Sequence, residues 1–172
     1  VKSSDYTDRY VTYDVLNDGF GQGALYTVVN QAENLPTMYQ KFYVYKDMPY
    51  ALVQVELGSD NEISTNFMAP ISTSGENVVD IGTKTDARAL FVPFSNDGYT
   101  AYNPETLNGA HTSYFVTAIF DNNSRNSVIA GSVDHDTWKT GTSTWATADN
   151  GNINFFGAFA GINSKEFTYD FQ

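Results

Sequence analysis

Two alternating runs joined by a turn constrain this chain more than anything else in it. From Thr37 to Lys46, Met38, Gln40, Phe42 and Val44 share one face, while Tyr39, Lys41, Tyr43 and Tyr45 take the other. Lys46–Pro49 supplies a turn, after which Ala51, Val53, Val55 and Leu57 point inward, with Gln54 and Glu56 outward. A period of two belongs to a strand, because successive side chains leave a pleated backbone on opposite sides. The two runs therefore predict an antiparallel pair with one solvated side. The tyrosine row fits either a core or a wet surface. Upstream, Asp18–Gly23 (DGFGQG) is glycine-rich but has neither the GxGxxG nor the P-loop spacing, so it predicts a hairpin connection into Ala24–Asn30.

The same grammar continues with longer loops. Ile63–Ile71, Val78–Ile81, Ala89–Phe94, Tyr114–Phe120, Ser127–Val133, Ile153–Phe159 and Glu166–Phe171 read as strands. Asn96–Gly98, Asp121–Asn126 and Asp149–Asn152 read as turns, and only Asn103–Gly109 suits a short helical turn. Twelve Tyr and twelve Phe among many Asn, Asp, Thr and Gly favour strands, and low Glu, Lys, Leu and Ala content argues against a helical bundle. About ten short strands predict an all-β antiparallel sandwich, with a closed β-barrel as the alternative. No internal repeat or low-complexity linker divides residues 1–172, so one domain is expected, long enough to bury roughly 70% of its unfolded surface.

The net charge of −11 opposes nucleic-acid phosphates and anionic membrane surfaces, whereas a neutral polyhydroxylated ligand meets no such repulsion. Solubility alone also accounts for the charge. With no cysteine there is no disulfide framework, thiolate metal site or cysteine nucleophile. No long apolar run predicts a membrane span.

The chemistry concentrates in Ser113–Gly141, where two strand-like runs joined by a polar turn end in Asp134, His135, Asp136, Trp138 and Lys139. A strand continuing past Val133 would set Asp134, Asp136 and Trp138 on one side, and His135, Thr137 and Lys139 on the other beside Ile129 and Val133. Two carboxylates flanking an indole suit a sugar, whose apolar face stacks while its hydroxyls donate. The carboxylates would lie about 6.5 Å apart along the strand, inside the range of glycosidase pairs. Adjacent parallel side chains seldom flank a scissile bond from opposite sides, however. Contact with a ligand or ion and a solvated structural role are the better-supported readings.

Other candidates are weaker. His135 suits a satisfied core histidine as well as a base, and His111 falls in an expected loop. Trp145 is expected to anchor a core, whereas Trp138 has polar neighbours and suits stacking. Tyr99 and Tyr102 are lesser stacking candidates. Asp121–Asn126 offers calcium-type oxygen ligands without an EF-hand pattern, and a hairpin turn is the favoured reading. Asn122-Asn123-Ser124 matches a glycosylation sequon, which matters only in a eukaryotic secretory setting. No HExxH, GxSxG, Walker or Rossmann motif occurs, and no other metal site or cofactor is indicated.

DGFGQG, LPTMYQKFYVYKDMPY (Leu35–Tyr50), NFMAP (Asn66–Pro70), LFVPFSNDGYTAYN (Leu90–Asn103) and VTAIFDNNSRNSVIAGSVDHDTWKTG (Val116–Gly141) together resemble the N-terminal β-sandwich of bacterial α-galactosidase-like (melibiase-type) glycoside hydrolases. The resemblance implies a galactose-mutarotase-like supersandwich packed against a separate (β/α)₈ barrel that carries the catalytic carboxylates. No barrel repeats occur in this sequence, so no catalytic residue carries over. It further implies a non-catalytic domain of a larger, secreted, periplasmic or cell-surface enzyme. Its expected partners are a glycan and the catalytic barrel, with Asp134, Asp136, Trp138, Lys139 and Tyr99 as carbohydrate contacts. A free-standing carbohydrate-binding or adhesion domain is the alternative, followed by a self-sufficient glycosidase using Asp134, Asp136 or Glu105.

Overall fold

The computed structural model describes residues 1–82, 84–93, 102, 104–134, 136, 138–148 and 151–161. The expected strand Glu166–Phe171, the turn at 96–98, and the candidates Tyr99 and His135 lie outside them. The described residues are all-β, with one short 3₁₀ turn at Ser3–Asp5. They form three antiparallel four-stranded sheets, and none closes into a barrel. Contacts divide the chain into two compact units, Val1–Thr65 and Asn66–Gln172.

The first unit is a meander of β1 (Asp8–Asp18), β2 (Gly21–Gln31), β3 (Thr37–Tyr45) and β4 (Ala51–Gly58), hydrogen-bonded in chain order. DGFGQG is the expected hairpin, with Asp18 opposite Gly21 and Gly19-Phe20 between them. Its turn is held by the Phe20 N–H donating to Asp18 Oδ1 at 2.8 Å. The β3/β4 pair is antiparallel as the alternation predicts, with Met38 opposite Leu57, Phe42 opposite Val53 and Val44 opposite Ala51, but Val44 and Ala51 are exposed and not inward. Tyr45 of the tyrosine row is buried, and its hydroxyl donates to Asp18 Oδ2 at 3.0 Å. Burial, then the Asp18 hydrogen bond and charge, push that phenol up to about 12. Tyr43 donates to Gln54 and, like Tyr39 and Lys41, is half-buried, so only Tyr45 of the row is core.

The second unit is a sandwich. One sheet has the order β5 (Phe67–Val79), β12 (Ile153–Gly161), β11 (Thr140–Ala146), β8 (Gly109–Tyr114). The other runs β10 (Ser127–Gly131), β9 (Val116–Asp121), β6 (Ala87–Leu90), β7 (Glu105–Thr106). Ala146, Ile153 and Phe156 from the first meet Ala89 and Ile119 from the second, with Ile81 and Leu107 completing the core. β11 turns Thr140, Thr142, Thr144 and Ala146 inward, all buried, so threonine serves as core along this strand.

Several expectations are corrected here. Ile63–Ile71 and Val78–Ile81 are not two strands, because β5 is a single thirteen-residue strand with an irregularity where it passes β12. Tyr114–Phe120 is broken at Phe115, whose positive φ of 66° turns the chain from one sheet into the other. Asn103–Gly109 holds no helix among its described residues, since Glu105 and Thr106 pair with Ala89 and Arg88 instead. His111 lies on β8 and not in a loop. Its ring stacks on Phe91 with centroids 4.2 Å apart, and its Nε2 lies 2.5 Å from the Asn108 carbonyl.

Candidate functional site

Asp134, Asp136, Trp138 and Lys139, the described residues of the cluster, lie between β10 and β11 and outside any strand. β10 ends at Gly131 because the chain there leaves the β10-β9-β6-β7 sheet for the facing one. The corner is fastened through the backbone. Ser132 N–H donates to the Phe115 carbonyl, and Phe115 N–H donates to the Thr140 carbonyl, both at 3.0 Å. The Ser132 and Thr140 hydroxyls meet at 2.7 Å. The crossing at Phe115 and the two ends of the second crossing, Ser132 and Thr140, are thus tied together at one end of the sandwich. The one-sided arrangement expected for Asp134, Asp136 and Trp138 is absent, because strand alternation stops before it reaches them.

Each described residue of the cluster has a distinct setting. Asp134 and Asp136 are exposed, and the Asp136 N–H donates to Asp134 Oδ1 at 3.3 Å, closing a small aspartate turn. Trp138 is half-buried with its ring against Gly161, where an added Cβ would overlap both the indole and the Asn66 carbonyl. Gly161 also has φ +92°, so only glycine suits this seat. Lys139 places its ammonium 4.8 Å from the Phe115 ring centre and 5.2 Å from that of Tyr114, both within cation–π range. Trp138 and Lys139 therefore anchor the loop to the end of the sheet, while the two aspartates project from it.

Lys139 leads onto an aromatic face that the sequence reading missed. Tyr114 meets Phe159 edge-on with centroids 6.4 Å apart, and Phe159 stacks on Phe67 at 5.7 Å. Phe159 folds over Gly141, where a Cβ would stand 2.8 Å from the ring and 2.6 Å from the Ser113 carbonyl. These rings belong to the outer face of the β5-β12-β11-β8 sheet, the side opposite the core. Register defines the rest of that face. Ser72, Gly157, Ser143 and Thr112 form a row of small residues across all four strands. The next row is Ser74, Phe155, Trp145 and Ala110. The Phe155 ring lies over Gly157, and the Ser143 and Thr112 hydroxyls are 3.3 Å apart. Trp145 is 45% exposed, which corrects the expectation that it anchors a core. The alternation Gly141, Ser143, Trp145 against Thr140, Thr142, Thr144 was the available signal. It was hidden because the inward residues are not aliphatic.

No protein-family model, curated protein or solved structure gives a significant match to the chain.

The other candidates have structural roles in this geometry. Asp121 is fully buried, and its two oxygens accept the N–H groups of Ser124 (2.7 Å), Asn123 (3.1 Å), Asp86 (2.7 Å) and Thr85 (2.8 Å). These bonds, the Ser124 N–H foremost, hold its carboxyl down at about 2 against the desolvation that opposes them. The Asp121–Asn126 segment is a hairpin turn clamped to the strand entering β6, as favoured from its sequence. Glu105 is exposed, with an oxygen 3.9 Å from His111 Nδ1. Among the described residues no group of three or more His, Asp or Glu could hold a metal ion. No helix among them is long and apolar enough to cross a membrane.

Proposed function

We propose that this chain is a non-catalytic β-sandwich part of a carbohydrate-active enzyme of the α-galactosidase-like kind, and that it recognises neutral sugar. The observation that carries the reading is the outer face of the β5-β12-β11-β8 sheet. There the exposed Trp145 and its neighbour Phe155 border a row of serine and threonine hydroxyls. Aromatic faces take the C–H side of a pyranose, and hydroxyls exchange hydrogen bonds with its rim. The net charge of −11 is no obstacle to such a ligand. Asp134 and Asp136, exposed on the loop beyond the Lys139 end of the same sheet, are further acceptors for sugar hydroxyls. Trp138 and Lys139 act chiefly by holding that loop.

A glycosidase working by itself is less well supported. Its best carboxylate pair sits side by side on one exposed turn, not across a cleft. The reading places the chain in a secreted, periplasmic or surface setting, beside a catalytic domain that supplies the chemistry.

Calorimetric titration with a panel of neutral galacto- and gluco-oligosaccharides tests this. Trp145→Ala is expected to weaken binding about tenfold, equivalent to about 1.4 kcal/mol, without loss of strand signal in circular dichroism. Unchanged affinity in that variant, or turnover of aryl glycosides by the isolated chain, would overturn the reading.

A further inference from the structure

The first unit carries an open strand edge that the proposed sugar face does not use. β1 pairs only with β2 among the described residues, through eleven consecutive register positions from Asp8–Gln31 to Asp18–Gly21, without a bulge. Its sequence, DRYVTYDVLND, has no proline and no lysine, and the charges that guard the edge are Asp8, Arg9, Asp14 and Asp18, three of the four acidic. The two faces differ in charge. Val11, Tyr13 and Val15 share the face of Phe42, Val53 and Val55, as the cross-strand rows of the meander require. They are nevertheless 60%, 59% and 77% exposed. The other face of β1 carries Asp8, Asp14 and Asp18, opposite Gln31, Leu25 and Gly21 of β2, interspersed with Tyr10, Thr12 and Leu16. None of the three belongs to an ion pair among the described residues. Arg9, on the apolar side, is bound to Asn30 Oδ1 at 2.6 Å and to the Ser3 carbonyl at 2.7 Å.

An edge guarded mainly by acidic charge, three exposed apolar side chains on one side and, on the other, Asp8 and Asp14 without an ion pair among the described residues specify the partner chemically. We infer that β1 is a strand-addition site for an extended segment of another protein that alternates basic and apolar residues. Main-chain hydrogen bonds would extend the four-stranded sheet by one strand. The partner's apolar side chains would cover Val11, Tyr13 and Val15, and its lysines or arginines would meet Asp8 and Asp14. A second copy of this chain fits less well. Pairing two β1 strands about Tyr13 brings Asp8 of one opposite Asp18 of the other, which is a like-charge contact.

The test uses the full chain and a labelled peptide of alternating lysine and valine, about ten residues long and so able to span most of β1. Fluorescence anisotropy should detect binding, and hydrogen exchange should slow in residues 8–18. A Glu-Val peptide and a Lys-Val peptide with a central proline should each bind at least tenfold more weakly. The surface variant D8N/D14N should lose affinity at least threefold and show a shallower salt dependence. Absence of binding, protection elsewhere than β1, or equal binding of the proline peptide would overturn the inference. Dimerisation of the chain alone with protection of β1 would also overturn it, by assigning the edge to a second copy. These outcomes are independent of sugar binding at Trp145.

Discussion

Asp121 shows how one residue can look like a ligand and act as a clamp. Its neighbours offer oxygens, but its own carboxylate is filled by four backbone N–H groups, two of them from Thr85 and Asp86. Such donors stabilise the ionised form, so the folded chain holds Asp121 at about 2, against an ordinary value of 3.8. As pH falls the unfolded chain takes up this proton first. The stability contributed by Asp121 is therefore complete above about pH 4 and is lost as pH drops through about 2. Asp121→Asn, which cannot accept all four N–H groups, should lower the melting temperature by several degrees at neutral pH. It should also flatten the change in urea midpoint between pH 4 and pH 2, and parallel curves for variant and wild type would contradict this. The sequence made the turn legible through its Asn and Asp residues. It could not show the clamp, since Thr85 and Asp86 arrive from a distant part of the chain. Trp145 has a similar lesson. Its type suggested a core, but the facing of β11 decides its exposure, and that depends on which sheet the strand joins.

At the level of strands, legibility followed the aliphatic pattern. β3 and β4 were readable as an antiparallel pair because Met38, Phe42 and Val44 alternate with polar residues, as do Val53, Val55 and Leu57; their register comes only from the fold. β11 was missed because Thr140, Thr142 and Thr144 face the core and carry no aliphatic signal. The run ending at Val133 was extended too far for a related reason: the exit from the sheet at Ser132 is fixed by Phe115 and Thr140, which local periodicity does not contain. Gly141 tests this account of β11. A methyl group there would strike the Ser113 carbonyl of β8 and the Phe159 ring, so Gly141→Ala should force the strands apart. We expect a loss of about 1–3 kcal/mol in urea unfolding, together with weaker sugar binding as Phe159 is displaced. A neutral effect on both would show that the close approach is not needed.

For the molecule as a whole, the all-β class and its antiparallel strands were evident from composition and turn spacing, while the choice of open sheets over a closed barrel came only with the fold. The division at residues 65 and 66 was not, since no composition shift marks it. Ser59–Thr65, between β4 and β5, is exposed throughout. Limited digestion with a glutamate-specific protease should therefore cut first after Glu62, while Glu56, within β4, resists. First cleavage inside β4 would contradict that assignment. The central claim is that the outer face of the β5-β12-β11-β8 sheet binds sugar, and it is tested most directly by mapping NMR chemical shifts during an oligosaccharide titration. The account predicts the largest shifts at the Trp145 indole, Phe155, Ser143 and Thr112, with smaller ones at Asp134 and Asp136. Saturating sugar without shifts on that face, or with shifts confined to the first unit, would contradict it.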